Sequence, residues 1–133
     1  MAWTDQYYDG LRSNIKRYAS QNLEVHITEL DVKCKLEEGG ECEEKVWTEE
    51  LLQEQAEHYG KILTICLEEP NCTAFQTWGY TDYYSWLDEP MNGLPFERNG
   101  LPKPAYDKMI EVLENFDRNH NGVTKRLNRS WMS

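Results

Sequence analysis

No apolar run among the 133 residues approaches the roughly 20 that a membrane-spanning helix needs, so no membrane partner is expected. No Cys-x-x-Cys pair occurs either. The cysteines stand as Cys34/Cys42 and Cys66/Cys72, and His26, His58 and His120 are scattered, which disfavours a zinc site. Basic residues are scarce, 14 against 24 acidic for a net charge of −10. Without a basic patch, such a chain is repelled by phosphate backbones, and no nucleic-acid partner is expected. Met1-Ala2-Trp3-Thr4-Asp5 has neither the basic start nor the apolar stretch of a secretory leader. Internal repeats and low-complexity tracts are also missing.

The chain does carry five Trp, eight Tyr and three Phe. That aromatic load belongs to one globular domain and not to an acidic disordered tail. An even cysteine count in two close pairs favours two disulfides and an oxidising compartment, with reduced thiols or a metal site as the remaining options. Asn71-Cys72-Thr73 and Asn128-Arg129-Ser130 match the N-glycosylation pattern, which is frequent by chance.

Hydrophobic spacing orders the elements. Tyr8, Leu11, Ile15, Tyr18 and Ala19 predict a helix over about 5–21, and Asn22 punctuates it. Residues 23–31 alternate with period two and are rich in β-branched side chains, predicting a strand. On it, Val25, Ile27, Glu29 and Asp31 share one face, and Glu24, His26, Thr28 and Leu30 the other. Residues 32–46 read as loop, and Thr48 as the N-cap of a helix burying Leu52, Ala56, Tyr59, Leu63 and Cys66. A second strand covers 73–78, and a long aromatic-rich irregular stretch follows over 79–103. Connections of that length in compact domains are usually functional. Pro104 opens a last helix with Ala105, Met109, Ile110, Leu113 and Phe116 on one face, and the tail from Asp117 is polar.

The order helix, strand, helix, strand, helix implies an α/β crossover and parallel strands. Two strands alone leave a parallel sheet without its usual neighbours, so the chain reads as part of something larger. Glu29 and Asp31 are two carboxylates converging at the C-terminal end of a strand, where (β/α)8 barrels place catalytic groups. The plain alternative is a charged strand end projecting into solvent. After the second strand comes Trp78-Gly79-Tyr80-Thr81-Asp82-Tyr83-Tyr84-Ser85-Trp86. Flat rings near acids suit carbohydrate, whose C–H faces stack while its hydroxyls take polar partners; an ordinary aromatic core patch is the other option.

Leu23-Glu-Val-His-Ile-Thr-Glu-Leu-Asp31 resembles the nucleophile strand of glycoside hydrolase family 10, the endo-β-1,4-xylanases. Trp78-Gly-x-Thr-Asp82 with Ser85-Trp86, then Pro102-Lys-Pro-Ala-Tyr106, resembles that family's eighth strand and its exit loop. The resemblance covers about residues 6–116, leaving 117–133 as a polar tail, and implies the C-terminal fragment of a (β/α)8 TIM barrel. It implies Glu29 as catalytic nucleophile and Asp31 in the group that keeps it ionised and oriented. It also implies Trp78 as the floor of the subsite for the reacting sugar and Trp86 as a cover over the glycone side. Cys66 and Cys72 fall where many fungal-type members have a disulfide; a Cys34–Cys42 bridge rests on proximity only. His26 is expected to face away from the nucleophile, packing on helices.

The family implies a retaining mechanism on xylan or xylo-oligosaccharide, no cofactor or metal, and a secreted parent enzyme. Its acid/base glutamate follows an Asn, and no Asn-Glu pair occurs here. The chain alone is therefore expected to be inactive, with the earlier, N-terminal part of the barrel as its natural complement. A non-catalytic carbohydrate-binding or assembly fragment is the alternative. Asp117-x-Asn119-x-Asn121-Gly122 opens like an EF-hand loop, but Asn128 stands where the bidentate Glu belongs.

Overall fold

The computed structural model describes residues 4–34, 47–87, 89 and 91–120. Their order is helix α1 (Asp5–Ala19), strand β1 (Val25–Leu30), helix α2 (Glu49–Glu68), strand β2 (Cys72–Thr77) and helix α3 (Pro104–Asn119). A short 3₁₀ helix (Asp82–Tyr84) lies in the long connection after β2. No described helix is long and apolar enough to cross a membrane.

Local chemistry sets the ends of these elements. Past α1 the chain turns at Asn22, whose φ of 58° is left-handed and tolerated by a short polar side chain. Thr48 Oγ1 accepts the Leu51 N–H at 3.3 Å, the N-cap expected there. Pro104 occupies the first turn of α3, where its missing N–H has no helical partner to lose. That helix continues to Asn119, so Asp117 and Asn119 are helical and do not begin a calcium loop. Asn121, Gly122 and Asn128 lie outside the described residues.

The core sits on one side of the sheet. Val25, Ile27, Leu30 and Phe75 pack against Tyr8 and Ile15 of α1 and Ala56, Tyr59, Ile62 and Leu63 of α2. Each large apolar side chain so buried contributes roughly 1.5–3 kcal/mol. Gly60 lets α3 close on α2, since a Cβ there would stand 2.8 Å from Lys108 Cγ. Arg12 clamps α1 to the end of α2 through Glu68 at 2.5 Å and Glu69 at 2.8 Å. Deeper in the same contact, the Tyr8 hydroxyl is hydrogen-bonded to His58 Nδ1. Burial pushes the Tyr8 hydroxyl up to about 12 and the His58 imidazole down, so both stay neutral near pH 7.

β1 and β2 pair in parallel with Val25↔Cys72, His26↔Ala74, Ile27↔Phe75 and Leu30↔Thr77. Between Ile27 and Leu30 the first strand has one more residue than the second, a β-bulge, and Glu29 sits in it with φ 60°. This corrects the face assignment from simple alternation. Val25, Ile27 and Leu30 all face the helices, while Thr28 and Glu29 are both exposed. The helix-facing role expected of His26 is also overturned. With Val25 and Ile27 turned toward the helices, His26 falls on the opposite face, exposed, with Nε2 3.9 Å from Glu24.

A disulfide joins Cys66, near the end of α2, to Cys72 at the start of β2. Cys34 is disulfide-bonded as well, and its expected partner Cys42 lies outside the described residues. Asn71 Nδ2 donates to Ile15 O at 2.9 Å and Leu23 O at 3.2 Å, so the first glycosylation motif has its amide committed to the fold. Because the Cys66–Cys72 bridge closes a loop with a sequence separation of 6, chain entropy assigns it about 2 kcal/mol. Replacing both cysteines by Ala should lower the unfolding free energy by that amount, read as a reduced urea midpoint.

Candidate active site

The bulge brings the chemistry to the C-terminal ends of the strands. Glu29 is exposed there on the side away from the helices. Trp78 follows β2 directly, and its N–H donates to Leu30 O at 3.3 Å, so the two strand ends stay side by side. Beyond β1 the backbone runs along the long loop, with Val32 N–H donating to Gly93 O at 3.0 Å and Cys34 N–H to Met91 O at 3.1 Å. α2 staples this contact from below. Gln55 Nε2 donates to Val32 O (2.8 Å) and Asn92 O (2.9 Å), and the Tyr59 hydroxyl donates to Gly93 O at 2.6 Å. Burial raises the Tyr59 hydroxyl far above its usual range, which keeps it a donor. Gly93 fits closely here, since a Cβ would stand 2.9 Å from Leu87 Cδ1, which would have to shift, and 3.3 Å from Asp31 Cβ.

A buried ion pair organises the loop itself. Lys103 Nζ meets Asp82 Oδ2 at 2.7 Å, with side chains 4% and 2% exposed. The ammonium spends all three of its N–H groups, and both carboxylate oxygens are engaged. Lys103 Nζ donates to Asn92 O and Leu94 O at 2.7 and 2.8 Å, and Asp82 Oδ1 accepts the Leu94 N–H at 2.9 Å. The Trp47 ring lies 5.2 Å from the ammonium. Burial pulls Lys103 below the ordinary lysine range, and Asp82 opposes that drop. A buried pair survives when its hydrogen bonds are complete, as they are here.

Trp86 and Asp31 are brought into direct contact. The indole Nε1–H donates to Asp31 Oδ2 at 2.7 Å, although Trp86 is 68% exposed. Burial lifts the Asp31 carboxyl above its ordinary value, the Trp86 N–H pulls it back, and the negative charge of Asp82 adds to the rise. Asp31 Oδ1 is buried without a hydrogen-bond partner among the described residues. Trp78, at 49% exposure, presents a ring at the end of β2. One rim therefore holds an exposed carboxylate at a bulge, a second carboxylate tied to a tryptophan, and a second tryptophan beside both strand ends. The described residues contain no group of three His, Cys, Asp or Glu side chains able to hold a metal ion.

Sequence reasoning named these four side chains but missed what positions them. Asp82 and Lys103 lay inside recognised motifs, yet nothing local said that they pair. Gln55 falls on the buried face of a helix whose apolar spacing was read correctly, and a polar residue at that position was the available signal. A cavity of about 440 Å³ lies among the three helices, is lined by Asp5, Arg12, Glu57, Lys61 and Lys108 among others, and has no strand-end residue in its wall.

Known proteins match this geometry. The sequence matches Glycosyl hydrolase family 10 over residues 1–112. Endo-1,4-beta-xylanase B of Thermotoga neapolitana is 37% identical over 111 residues, covering 80% of this chain and 30% of the relative. The native xylanase 10B structure from Thermotoga maritima superposes with a TM-score of 0.70 at 39% identity, covering 81% of this chain and 32% of that one. Xylanase 10B from Thermotoga petrophila RKU-1, in complex with xylobiose, gives 0.69 at 39% identity, with the same coverage of 81% and 32%. The chain thus spans about a third of the length of these proteins.

Two outcomes test the arrangement. Trp86→Phe deletes the hydrogen bond that opposes burial, so the Asp31 carboxyl should titrate at higher pH than in the wild type, followed by carboxyl ¹³C NMR. Lys103→Met leaves Asp82 buried and unpaired, which should cost about 3–5 kcal/mol, visible in urea unfolding and in lost amide protection at Leu94.

Proposed function

Since the chain belongs to glycosyl hydrolase family 10, we propose that it carries the nucleophile-bearing part of a retaining endo-1,4-β-xylanase site. Glu29 is the nucleophile in this reading. The observation that carries it is the bulge that turns a carboxylate out of a helix-packed strand to the rim where Trp78 follows the neighbouring strand. The carboxylate would attack the anomeric carbon of a xylosyl unit and form a glycosyl ester as the glycosidic C–O bond breaks. A second carboxylate about 5–5.5 Å away would protonate the leaving oxygen and later deprotonate the attacking water. No Asn-Glu pair occurs among the 133 residues, so the proton donor comes from another part of the barrel.

Trp78 would form the floor for the reacting sugar and Trp86 the cover over the glycone. Asp31 would orient Trp86 through its Oδ2, with its buried Oδ1 available to a donor supplied by the rest of the site. Xylo-oligosaccharide as substrate is supported by a related structure in complex with xylobiose and another in complex with xylotriose. The disulfides support an oxidising, extracytoplasmic setting.

The purified chain should release no reducing sugar from xylan above a blank, because losing the general acid alone costs about 10²–10⁴-fold. Recombination with the complementary part of a related barrel should restore release, and Glu29→Gln in that complex should lower it by on the order of 10⁴-fold or more. Vigorous hydrolysis by the chain alone would overturn the missing-donor reading, and full activity of the Gln variant would overturn the nucleophile.

A further inference from the structure

The long loop has a second aromatic concavity that the proposed mechanism does not use. An open cavity of about 310 Å³ is lined by Tyr80, Thr81, Tyr83, Tyr84, Arg98 and Asn99, with Gly100 completing the wall. It shares no lining residue with Glu29, Asp31, Trp78 or Trp86. Three rings crowd its rim, and Tyr84 is 76% exposed. Large exposed aromatics kept together in one place mark interaction sites more often than scattered ones do.

The cavity is built, and does not collect loose side chains. Tyr83 and Tyr84 meet edge to face at 4.8 Å between ring centres, which holds one ring upright against the other. Tyr80 O accepts the Phe96 N–H at 3.0 Å, and Phe96 O accepts the Asp82 N–H at 3.0 Å, tying both walls to the Asp82–Lys103 pair. Arg98 lies over Tyr83 at 5.2 Å, donates to Asp82 O at 3.3 Å, and is neutralised by Glu89 at 2.6 Å. Thr81 is only 4% exposed, yet its hydroxyl has no hydrogen-bond partner among the described residues. Buried beneath the cavity wall, Thr81 contributes a rigid backing and not a contact surface.

Those properties select a ligand class. The one cation in the wall is already compensated, so a free anion gains little there. Upright rings offer flat apolar faces, while the Asn99 amide and the tyrosine hydroxyls offer donors and acceptors between them. A neutral ring with C–H faces and equatorial hydroxyls uses both. We infer that this cavity is a second saccharide site, binding a unit of a neutral β-1,4-linked xylan chain away from the catalytic rim. The identity of the sugar rests on the proposed function above; the existence of the site rests on the cavity.

The test is xylohexaose titrated into the ¹⁵N-labelled chain, with cellohexaose in parallel. Shifts at Tyr80, Tyr84, Arg98 and Gly100 should persist in a Trp78→Ala/Trp86→Ala variant. They should weaken about tenfold in Tyr84→Ala and separately in Tyr83→Ala, two exposed positions where removing a stacking ring leaves the core intact. Shifts confined to the surroundings of Trp78 and Trp86 would overturn the second site and leave the xylanase reading standing. Cellohexaose binding at the tyrosine cavity with no response to xylohexaose anywhere would support a saccharide site and count against xylan. No response at the tyrosine cavity to either sugar would overturn the second site, whatever the recombination experiment shows of the xylanase reading.

Discussion

One left-handed residue in a parallel ladder governs where the chemistry goes. A φ of 60° at Glu29 is uncommon for a residue with a Cβ and costs of order 1–3 kcal/mol. Without it, period-two alternation would carry Glu29 to the helix side with Val25 and Ile27. A carboxylate there would be desolvated among Tyr59, Ile62 and Phe75, a burial far more expensive than the backbone strain. The bulge exchanges the larger penalty for the smaller one. It also restores the packed face at once, because Leu30 returns to the core directly after Glu29. The strand thus keeps its apolar anchor on both sides of the exposed acid.

The second constraint is the pair formed by Lys103 and Asp82, with 2.7 Å between charged atoms in the middle of an otherwise irregular loop. Such a loop leaves many backbone groups without sheet or helix partners. Here one ammonium takes two carbonyls and one carboxylate takes an N–H, so three loop segments converge on a single site. The same carboxylate places negative charge near Asp31 and opposes its ionisation, while Trp86 favours it. The charge state of Asp31, and with it the hydrogen bond that steadies Trp86, therefore depends on burial, on Trp86 and on the more distant Asp82. Rigidity at the loop base lets large rings stay exposed at its tip.

Much of this was legible in the residues, for identifiable reasons. Helix boundaries followed from Asn22, Thr48 and Pro104, where the chemistry is local. The order of elements followed from apolar spacing, and two motifs read together pointed to the residues that the structure brings to one rim. What failed was the face of the strand. Period-two reasoning assumes one conformation throughout, and Glu carries no composition signal for a left-handed turn, unlike the Gly at position 79 with its φ of 107°. His26 was misassigned by the same assumption, since placing Val25 and Ile27 with the exposed Glu29 left only the helix side for His26. The Asp82–Lys103 pair was invisible for a different reason, being a long-range contact between two residues that each look solvent-exposed by type.

The distribution of apolar surface explains how two parallel strands persist without neighbours over them. Parallel sheets normally bury both faces, yet the face away from the helices here carries His26, Thr28, Glu29 and Gln76, all exposed. Only the helix-facing side holds the aliphatic and aromatic core. Leaving that polar face in water costs little, because its side chains are ones that water solvates well. In the order β1-β2 each strand has one outer edge, where backbone N–H and C=O groups point sideways. Backbone pairing is directional and sequence-independent, so these open edges, and not the polar face, are where a further strand would add to the sheet.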